Sequence, residues 1–310
     1  MPDISVVVCT FNRAALLRGA LESLATQSLD PKIYEIVVVD NGSTDETQAT
    51  VDAFKRKHPG HHVVSVRETQ QGLAHARNTG MRCSRGRYIA YIDDDARADR
   101  KWLEVGVRLV EELEPMCIGG KVIPVYEAKK PSWYKDGYET RTWGPSARFL
   151  SKRESFSGSN MIWSRSVLER FGGFDVRVGV KGPHLGLGEE TALFNRIWDS
   201  VENPTFFYSP ELIVYHMVPA WKMTISYQLK RRFSWGQSWY LIYGPRSTKE
   251  RRKLLRSMMY SVFRKTLTAV GDVQEYPCYH EWVVERIGPI AGEIGKMTEC
   301  IGFRLTVRQG

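Results

Sequence analysis

The first hundred residues alternate short β-branched runs with amphipathic stretches, and this alternation constrains the fold more than any other feature. Strands buried on both faces are apolar along their length, and strands joined by crossover helices form a parallel sheet. The runs predict four strands, at Ile4–Cys9, Tyr34–Val39, His62–Arg67 and Tyr88–Ile92. The stretches between them predict three helices, at Ala14–Thr26, Asp45–His58 and Leu73–Cys83. We therefore expect an α/β fold with a doubly wound, mainly parallel sheet and helices on both faces.

The start of the second predicted helix has a local signal of its own. Ser43 is followed three residues later by Glu46, which is the spacing of a capping box. In that arrangement the serine side chain accepts a hydrogen bond from the first helical turn. We therefore expect Ser43 to cap this helix.

Polar residues follow three of the four predicted strands. They are Thr10, Asn12 and Arg13 after the first strand, with Phe11 between them, Asp40 and Asn41 after the second, and Asp93, Asp94 and Asp95 after the fourth. The carboxyl ends of parallel strands lie at one edge of the sheet, and ligands bind beyond that edge. The sequence therefore predicts a single polar cleft there.

Three adjacent aspartates repel one another unless a cation or strong hydrogen-bond donors compensate their charge. Hard divalent cations such as Mg²⁺ and Mn²⁺ take carboxylate oxygens and complete their shell with substrate phosphates. An Asp-x-Asp pattern at the end of an apolar strand therefore favours a metal site for a diphosphate. A solvated acidic turn is the alternative.

Other strand-end residues suit the remaining parts of a nucleotide. Asp40 can accept a hydrogen bond from the ring N–H of a pyrimidine base, although a turn or a helix cap would also explain it. After the third strand, Gly72 and Ala76 allow the backbone to approach a ligand. Arg77 could hold a phosphate or brace the aspartates, and a purely structural ion pair is the alternative.

These segments resemble, in order and spacing, the donor-site motifs of the inverting family 2 glycosyltransferases, whose nucleotide-binding architecture is called GT-A. The resemblance implies a metal-dependent transfer of a sugar, with inversion, from a nucleotide-sugar donor to a hydroxyl-bearing acceptor, and it favours uridine as the base. It implies a catalytic domain over residues 1–220, with a nucleotide-sugar half at 1–100 and an acceptor half at 101–220. Residues 221–310 then form a basic, mainly helical C-terminal region.

The resemblance also implies residue roles. The implied donor-binding residues are Thr10, Phe11, Asn12, Arg13, Asp40, Asn41, Gly72, Ala76, Arg77, Asp93 and Asp94. Asp95 is implied as the principal ligand of Mn²⁺ or Mg²⁺, with Asp93 near the ribose or the metal. His216 follows at family-like spacing as a further ligand, although a lone histidine after a strand is more often structural.

The second half continues the likeness. Gly158, Asn160 and Trp163 are implied on the acceptor side, and the catalytic base is implied at Glu190, with Glu189 in reserve. Family members usually have Glu-Asp where this chain has Glu189 and Glu190. The implied base is therefore a glutamate, Glu190, which has a longer side chain than the usual aspartate. Both acids also begin a predicted helix, where carboxylates are favoured in any case.

Basic residues are concentrated in one segment. The chain carries a net charge of +9, and Trp221–Lys265 alone holds twelve Lys or Arg against Glu250 as its single acid. Four explanations of this basic segment remain open: a solvated helix face, binding to an anionic membrane surface, binding to a phosphate-bearing substrate, and packing in a homodimer. Binding to nucleic acid is not expected. Five scattered cysteines and the lack of a long apolar run favour a cytoplasmic protein, with peripheral contact at the inner face of the cell membrane as the membrane option.

Two other function classes are weighed against this one. A sugar nucleotidyltransferase also binds nucleotide on such a sheet, but it needs a glycine-rich loop after the first strand, and Thr10–Arg13 contains no glycine. A nonenzymatic membrane-surface or nucleic-acid-binding protein would use only the basic region. Acids at several separate strand ends argue against that class.

Overall fold

A computed structural model of the chain describes residues 3–245, 247–303 and 305–308. Its strands are β1 (Ile4–Thr10), β2 (Tyr34–Asp40), β3 (His62–Arg67), β4 (Tyr88–Asp93), β5 (Ala96–Ala98), β6 (Cys117–Tyr126), β7 (Arg148–Phe149), β8 (Met161–Ser164) and β9 (Phe206–Val218). Its helices are α1 (Ala14–Ala25), α2 (Thr47–Lys57), α3 (Leu73–Cys83), α4 (Trp102–Leu113), α5 (Arg165–Arg170), α6 (Glu189–Ser200), α7 (Ile225–Tyr243), α8 (Thr248–Gly271), α9 (Tyr279–Trp282) and α10 (Gly288–Cys300).

The described strands form one mixed sheet. Its order is β3-β2-β1-β4-β8-β6-β9-β5, with β7 paired to β9. The four strands at the β3 end are parallel, and β8 continues the sheet antiparallel to β4. The predicted α/β class and the four predicted strands are therefore present, and antiparallel strands extend the sheet beyond them.

Helices cover both faces of this sheet because alternate residues of its strands point in opposite directions. Val6 of β1 packs on one face in a cluster that includes Leu17 of α1. Val7 packs on the other face in a second cluster that includes Ala76 of α3 and Phe194 of α6. Because both faces are buried there, β1, β2 and β4 are apolar over most of their length, whereas β3 at the edge of the sheet is only partly buried.

The prediction that Ser43 caps the second helix is wrong. α2 begins at Thr47, and its cap residue Glu46 makes no side-chain hydrogen bond to the helix. The Ser43 hydroxyl accepts instead from the backbone N–H of Asn12 at 2.8 Å. Asp45 accepts from the Thr47 N–H at 3.1 Å and so satisfies the first turn of α2.

The chain divides into two compact units. The sheet unit comprises Met1–Val125, Asp136–Val176 and Glu190–Met217, and the helical unit comprises Tyr126–Lys135, Arg177–Glu189 and Val218–Gly310. The predicted boundary between a catalytic domain (1–220) and a C-terminal region (221–310) stays a prediction. Within these predicted ranges, residues 1, 2, 246, 304, 309 and 310 lie outside the described residues.

Helices α7 and α10 pack closely in the helical unit. A Cβ at Gly236 of α7 would overlap the carbonyl oxygen of Gly292, and a Cβ at Gly295 of α10 would overlap that of Phe233. Glycine at these positions therefore lets the two backbones approach. In the described part of the chain, no helix is both long enough and apolar enough to span a bilayer.

Candidate functional site

The sheet register brings the predicted polar residues to one edge. Thr10 at the end of β1 is paired with Asp40 at the end of β2, and Cys9 is paired with Asp93 at the end of β4. Arg67 ends β3 opposite Asp40. The parallel pairing thus places three predicted site positions along the carboxyl edge, as the sequence indicated.

Asp94 lies at the centre of this edge and is almost fully buried. Its carboxylate accepts a hydrogen bond from the Thr10 hydroxyl at 2.8 Å and from the Arg13 guanidinium at 3.2 Å. Burial raises the pKa of Asp94 to about 6, with the Arg13 charge opposing the rise and the Asp95 charge adding to it. Arg13 also reaches Asp95 at 3.4 Å, so one guanidinium compensates two carboxylates.

Arg77 compensates the first aspartate. The Arg77 side chain is 2% exposed and its Nη2 lies 3.0 Å from Oδ1 of Asp93. Its guanidinium also stands over the Phe174 ring, 5.6 Å from the ring centre. A Cβ at Gly158 would overlap this guanidinium, so glycine at 158 provides the space for Arg77. In the structure, therefore, Arg77 braces an aspartate and Gly158 lies against Arg77.

His216 reaches the cleft because β9 runs antiparallel to β5, which starts directly after the aspartates. Ala96 of β5 is paired with His216, and the Met217 N–H donates to the backbone carbonyl of Asp95 at 2.8 Å. This register leaves Nε2 of His216 3.4 Å from Oδ1 of Asp95. On the other side of the ring, Nδ1 lies 3.9 Å from the buried carboxylate of Glu139.

Glu139 is the residue near this cleft that sequence reasoning missed. It lies in Tyr126–Phe149, a segment without regular hydrophobic periodicity that is rich in Trp, Tyr, Pro and Gly. Neither periodicity nor spacing marks it, and only the pairing of β5 with β9 places His216 beside it.

The loop after β2 is held by its own hydrogen bonds. Asp40 accepts from the Ser43 N–H at 2.8 Å, and the Asn41 side chain accepts from the Gly72 N–H at 2.8 Å. Asn12, which has a positive φ of 53°, accepts from the Thr44 N–H at 2.7 Å. These bonds tie together the loops that follow β1, β2 and β3.

The residues present can be tested against Mn²⁺ or Mg²⁺. Among the described residues, no three His, Cys, Asp or Glu side chains are already gathered as a metal centre. Asp95 and His216 are adjacent, however, and Mg²⁺-type sites use one or two protein ligands and take the rest from phosphate and water. Asp93 is turned towards Arg77. The donor set therefore fits a cation that arrives with a diphosphate.

The other predicted residues lie in different settings. Glu189 and Glu190 are the first two residues of α6, where Glu189 is buried and Glu190 half-buried. Asn160 is fully buried and donates to the carbonyls of Lys121 and Leu212 at 2.8 and 2.9 Å. Trp163 is also fully buried, and its indole N–H contacts the sulfur of Met161. The structure therefore does not bring Asn160 and Trp163 to the surface of the cleft, and their acceptor contacts remain predictions.

Comparison with solved structures identifies the architecture as GT-A. The mannosyltransferase PcManGT from Pyrobaculum calidifontis, solved in complex with GDP-Man and Mn²⁺, matches with a TM-score of 0.64 at 20% identity, covering 95% of this chain and 87% of that one. TarS from S. aureus, solved in complex with UDP, matches with a TM-score of 0.57 at 14% identity, covering 97% and 92%. The fold expected from the motifs is thereby confirmed, and these matches define the class as a GT-A glycosyltransferase fold.

The sequence comparisons then give the family. Residues 5–174 match the model of glycosyl transferase family 2, so the chain belongs to that family. A curated relative, the glucosyl-dolichyl phosphate glucuronosyltransferase of Haloferax volcanii, is 26% identical over 268 residues, which cover 83% of each chain. The chain is therefore a glycosyltransferase, and the nucleotidyltransferase and nonenzymatic classes are not supported.

Proposed function

We propose that this glycosyltransferase moves a sugar from a uridine diphosphate donor to an acceptor hydroxyl, with inversion at the anomeric carbon and with Mn²⁺ or Mg²⁺ as cofactor. The observation that carries the proposal is the carboxyl edge of the sheet, where Asp93, Asp94 and Asp95 are clamped by Thr10, Arg13 and Arg77. A cleft that already holds three acids and two guanidiniums suits a cation and a diphosphate together.

In the proposed donor complex, Asp40 accepts a hydrogen bond from the uracil ring and Phe11 lines the base. Arg13 and Arg77 bring positive charge to the diphosphate, and the loops joined by Asn12, Asn41 and Gly72 hold the nucleotide in place. The matched TarS structure contains UDP and the matched PcManGT structure contains GDP-Man and Mn²⁺, so the two together support a metal-bound nucleotide sugar, and the choice of uridine rests on the resemblance of the motifs.

The metal would be held by Asp95 and His216, with Asp93 close by. When bound, it would neutralise charge on the departing diphosphate. The carboxylate of Glu139 lies 3.9 Å from Nδ1, and a negative charge on that side of the ring favours a proton on Nδ1, which leaves Nε2 to face a cation.

The proposed transfer is one in-line displacement. The acceptor oxygen forms a bond to the anomeric carbon while the bond from that carbon to the diphosphate breaks, and the bonding electrons leave with the diphosphate. The acceptor proton goes to Glu190, with Glu189 as the reserve base. One base suffices because the leaving group is a phosphate and needs no protonation.

We propose a hydroxyl of a glycan or glycolipid as the acceptor. Support comes from the Haloferax volcanii relative, whose name gives glucosyl-dolichyl phosphate as the molecule it acts on. In this proposal Gly158, Asn160 and Trp163 belong to the acceptor side, and the buried Asn160 and Trp163 support its wall from within the core. For such an acceptor we expect the protein to be cytoplasmic and to act at the inner face of the cell membrane.

The test of this function is a calorimetric titration with a panel of UDP-, GDP- and dTDP-sugars, with and without Mn²⁺. The native protein, Asp95→Ala and the control Asp3→Ala are compared, since Asp3 is an exposed aspartate at the start of β1. We expect metal-dependent binding of a UDP-sugar by the native protein and the control, and none by Asp95→Ala.

Metal-dependent binding of a GDP- or dTDP-sugar would correct the base and leave the rest of the proposal. Equal binding with and without Mn²⁺ would remove the metal from the mechanism. Once the donor is known, the configuration of the product, measured by NMR, tests inversion.

A further inference from the structure

Helix α8 has two opposite faces of different character. Its inner face includes the buried residues Met258 and Ala269, and Lys265 on this face donates to Glu293 of α10 at 2.8 Å. Arg251, also on this face, donates to the backbone carbonyl of Cys300. The packing partners of α8 within the helical unit therefore lie on one side of the helix.

The opposite face carries a continuous line of residues at steps of three or four, which we call the outer stripe. It consists of Lys249, Arg252, Arg256, Tyr260, Phe263, Leu267 and Val270. This spacing follows one side of an α-helix. The stripe is about 30 Å long at ~1.5 Å per residue.

The C-terminal half of the outer stripe is apolar and exposed. Tyr260, Phe263, Leu267 and Val270 are 63%, 60%, 59% and 69% exposed, and the adjacent Met259 is 56% exposed. Single exposed apolar residues are ordinary, but a contiguous row of large ones marks an interaction surface. This row lies on the side of α8 opposite the face that packs against α10.

The N-terminal half of the outer stripe is basic. Lys249, Arg252 and Arg256 are exposed, as is their neighbour Lys253. Glu250 is the single acid within Thr248–Gly271, and its carboxylate accepts from the Ser247 hydroxyl at the helix start. The outer stripe is thus cationic over its first turns and apolar over its last turns.

A bilayer with anionic lipids matches both halves. Headgroup phosphates complement the cations, and the acyl boundary accepts the aromatic and aliphatic side chains. A second copy of the chain does not, because the outer stripe has no carboxylate to pair with the arginines of a partner stripe. A nucleic acid would complement the cations but leave the apolar half in water.

We propose that the outer stripe of α8 docks the protein on an anionic lipid bilayer, with the helix lying along the interface. The proposal goes beyond the donor chemistry of the sheet unit and does not depend on it. Arg264 at the edge of the stripe stands over the Tyr260 ring, 6.0 Å from its centre, which keeps a cation beside the apolar half.

The experiment is flotation of the full chain with phosphatidylcholine vesicles, with and without phosphatidylglycerol, at low and high salt. The native protein should float with the anionic vesicles at low salt, and less at high salt, because screening weakens its attraction to the surface. Arg252→Glu with Arg256→Glu, and separately Phe263→Ser with Leu267→Ser, should each lower the vesicle-bound fraction by more than about tenfold.

Matched controls separate docking from general charge and hydrophobicity. Arg56→Glu with Lys101→Glu makes the same charge change at two exposed positions of the sheet unit, and Leu113→Ser removes an exposed leucine there. Both controls should bind like the native protein, and circular dichroism checks that every variant is folded.

Two results with the native protein alone would overturn the proposal. The protein could float equally with neutral and anionic vesicles, or it could float with neither. Flotation of the α8 variants at the level of their controls would overturn it as well. Sedimentation analysis in the absence of lipid tests the second-copy alternative: a dimer that Phe263→Ser with Leu267→Ser abolishes would assign the stripe to self-association instead.

Discussion

The sheet unit and the helical unit carry their charges in opposite ways. At the carboxyl edge of the sheet, Asp94 is buried and held by Thr10 and Arg13. On the outer stripe of α8, Arg252 and Arg256 are exposed. A charge removed from water must be matched by a nearby opposite charge or hydrogen bond, whereas a charge in water need not be.

This difference between buried and exposed charges predicts where a single substitution should change function or stability. At the carboxyl edge of the sheet unit the three aspartates have specific partners, so one substitution should produce a large local effect. On the outer stripe the solvent competes with any one contact, so only several residues together should produce a measurable effect. The following predictions test this contrast, from the largest expected effect to the smallest.

The largest effect is expected at the start of α6. Glu190→Gln keeps the shape of the side chain and removes the proton acceptor, so kcat should fall by about 10²–10⁴-fold with little change in donor affinity. Glu189→Gln is the matched variant and should retain most of the activity. Release of nucleoside diphosphate from the donor identified by titration measures both.

The reverse ranking would move the base to Glu189. Because Glu189 is buried and Glu190 half-buried, that outcome would mean that the site uses the more deeply buried carboxylate. A loss of donor affinity in either variant would instead point to a role in binding.

Arg77→Met should give the largest effect on stability. Removing the guanidinium leaves Asp93 without the partner 3.0 Å away. Because the Asp93 side chain is 31% exposed, the loss should lie at the lower end of that for a broken buried pair, at about 3 kcal/mol in the free energy of unfolding. Arg108→Met is the matched control, because Arg108 forms an exposed pair with Glu211 and should cost at most about 1 kcal/mol. Urea denaturation measures both, and equal losses would contradict the contrast drawn above.

Local patterns were sufficient to predict the positions of the four parallel strands and their carboxyl edge. The apolar runs mark strands because both faces of the sheet are buried, and parallel pairing then aligns Thr10 with Asp40 and Cys9 with Asp93. The residues that follow each strand could therefore be assigned to one cleft before any distance was known.

Long-range pairing was beyond the reach of such patterns. Ser43 has the spacing of a helix cap, but its hydroxyl bonds to Asn12, 31 residues earlier. Glu139 lies beside His216 only because β9 pairs with β5. Asn160 and Trp163 belong to motifs that the family resemblance placed at the acceptor, yet their polar atoms bond inside the core. The partners of Ser43, Glu139 and Asn160 are distant in sequence and leave no local signal.

A smaller effect is expected at Gly158. An added Cβ would overlap the Arg77 guanidinium, which is buried and bonded to Asp93, so Gly158→Ala should lower the free energy of unfolding by about 1–3 kcal/mol. Gly137→Ala is the control, because a Cβ there meets no atom within 4 Å. Denaturant unfolding measures both variants.

Combining Gly158→Ala with Arg77→Met tests the cause. If the overlap with Arg77 is the source of the loss, the double variant should lose less stability than the sum of the two single variants. Strict additivity would mean that the glycine is required for a different reason.

The smallest effect is expected in the helical unit, at Glu293. Burial acts to raise the pKa of Glu293, but hydrogen bonds and charge from Lys265 and Lys296 outweigh it, so the pKa is lowered on folding. A lowered carboxyl pKa contributes stability above the pKa of the unfolded chain, and this contribution is lost as the pH falls through the folded-state value.

Glu293→Gln should therefore cost up to about 1 kcal/mol near neutral pH, and its difference from the native protein should shrink as the pH falls below the ordinary glutamate value and through the lowered folded-state pKa. Glu275→Gln, at an exposed acid of the same unit, should show no such difference at any pH. Urea midpoints across this pH range provide the measurement. A loss at Glu293 as large as that at Arg77 would break the comparison, because it would show that the helical unit also depends on single buried charges.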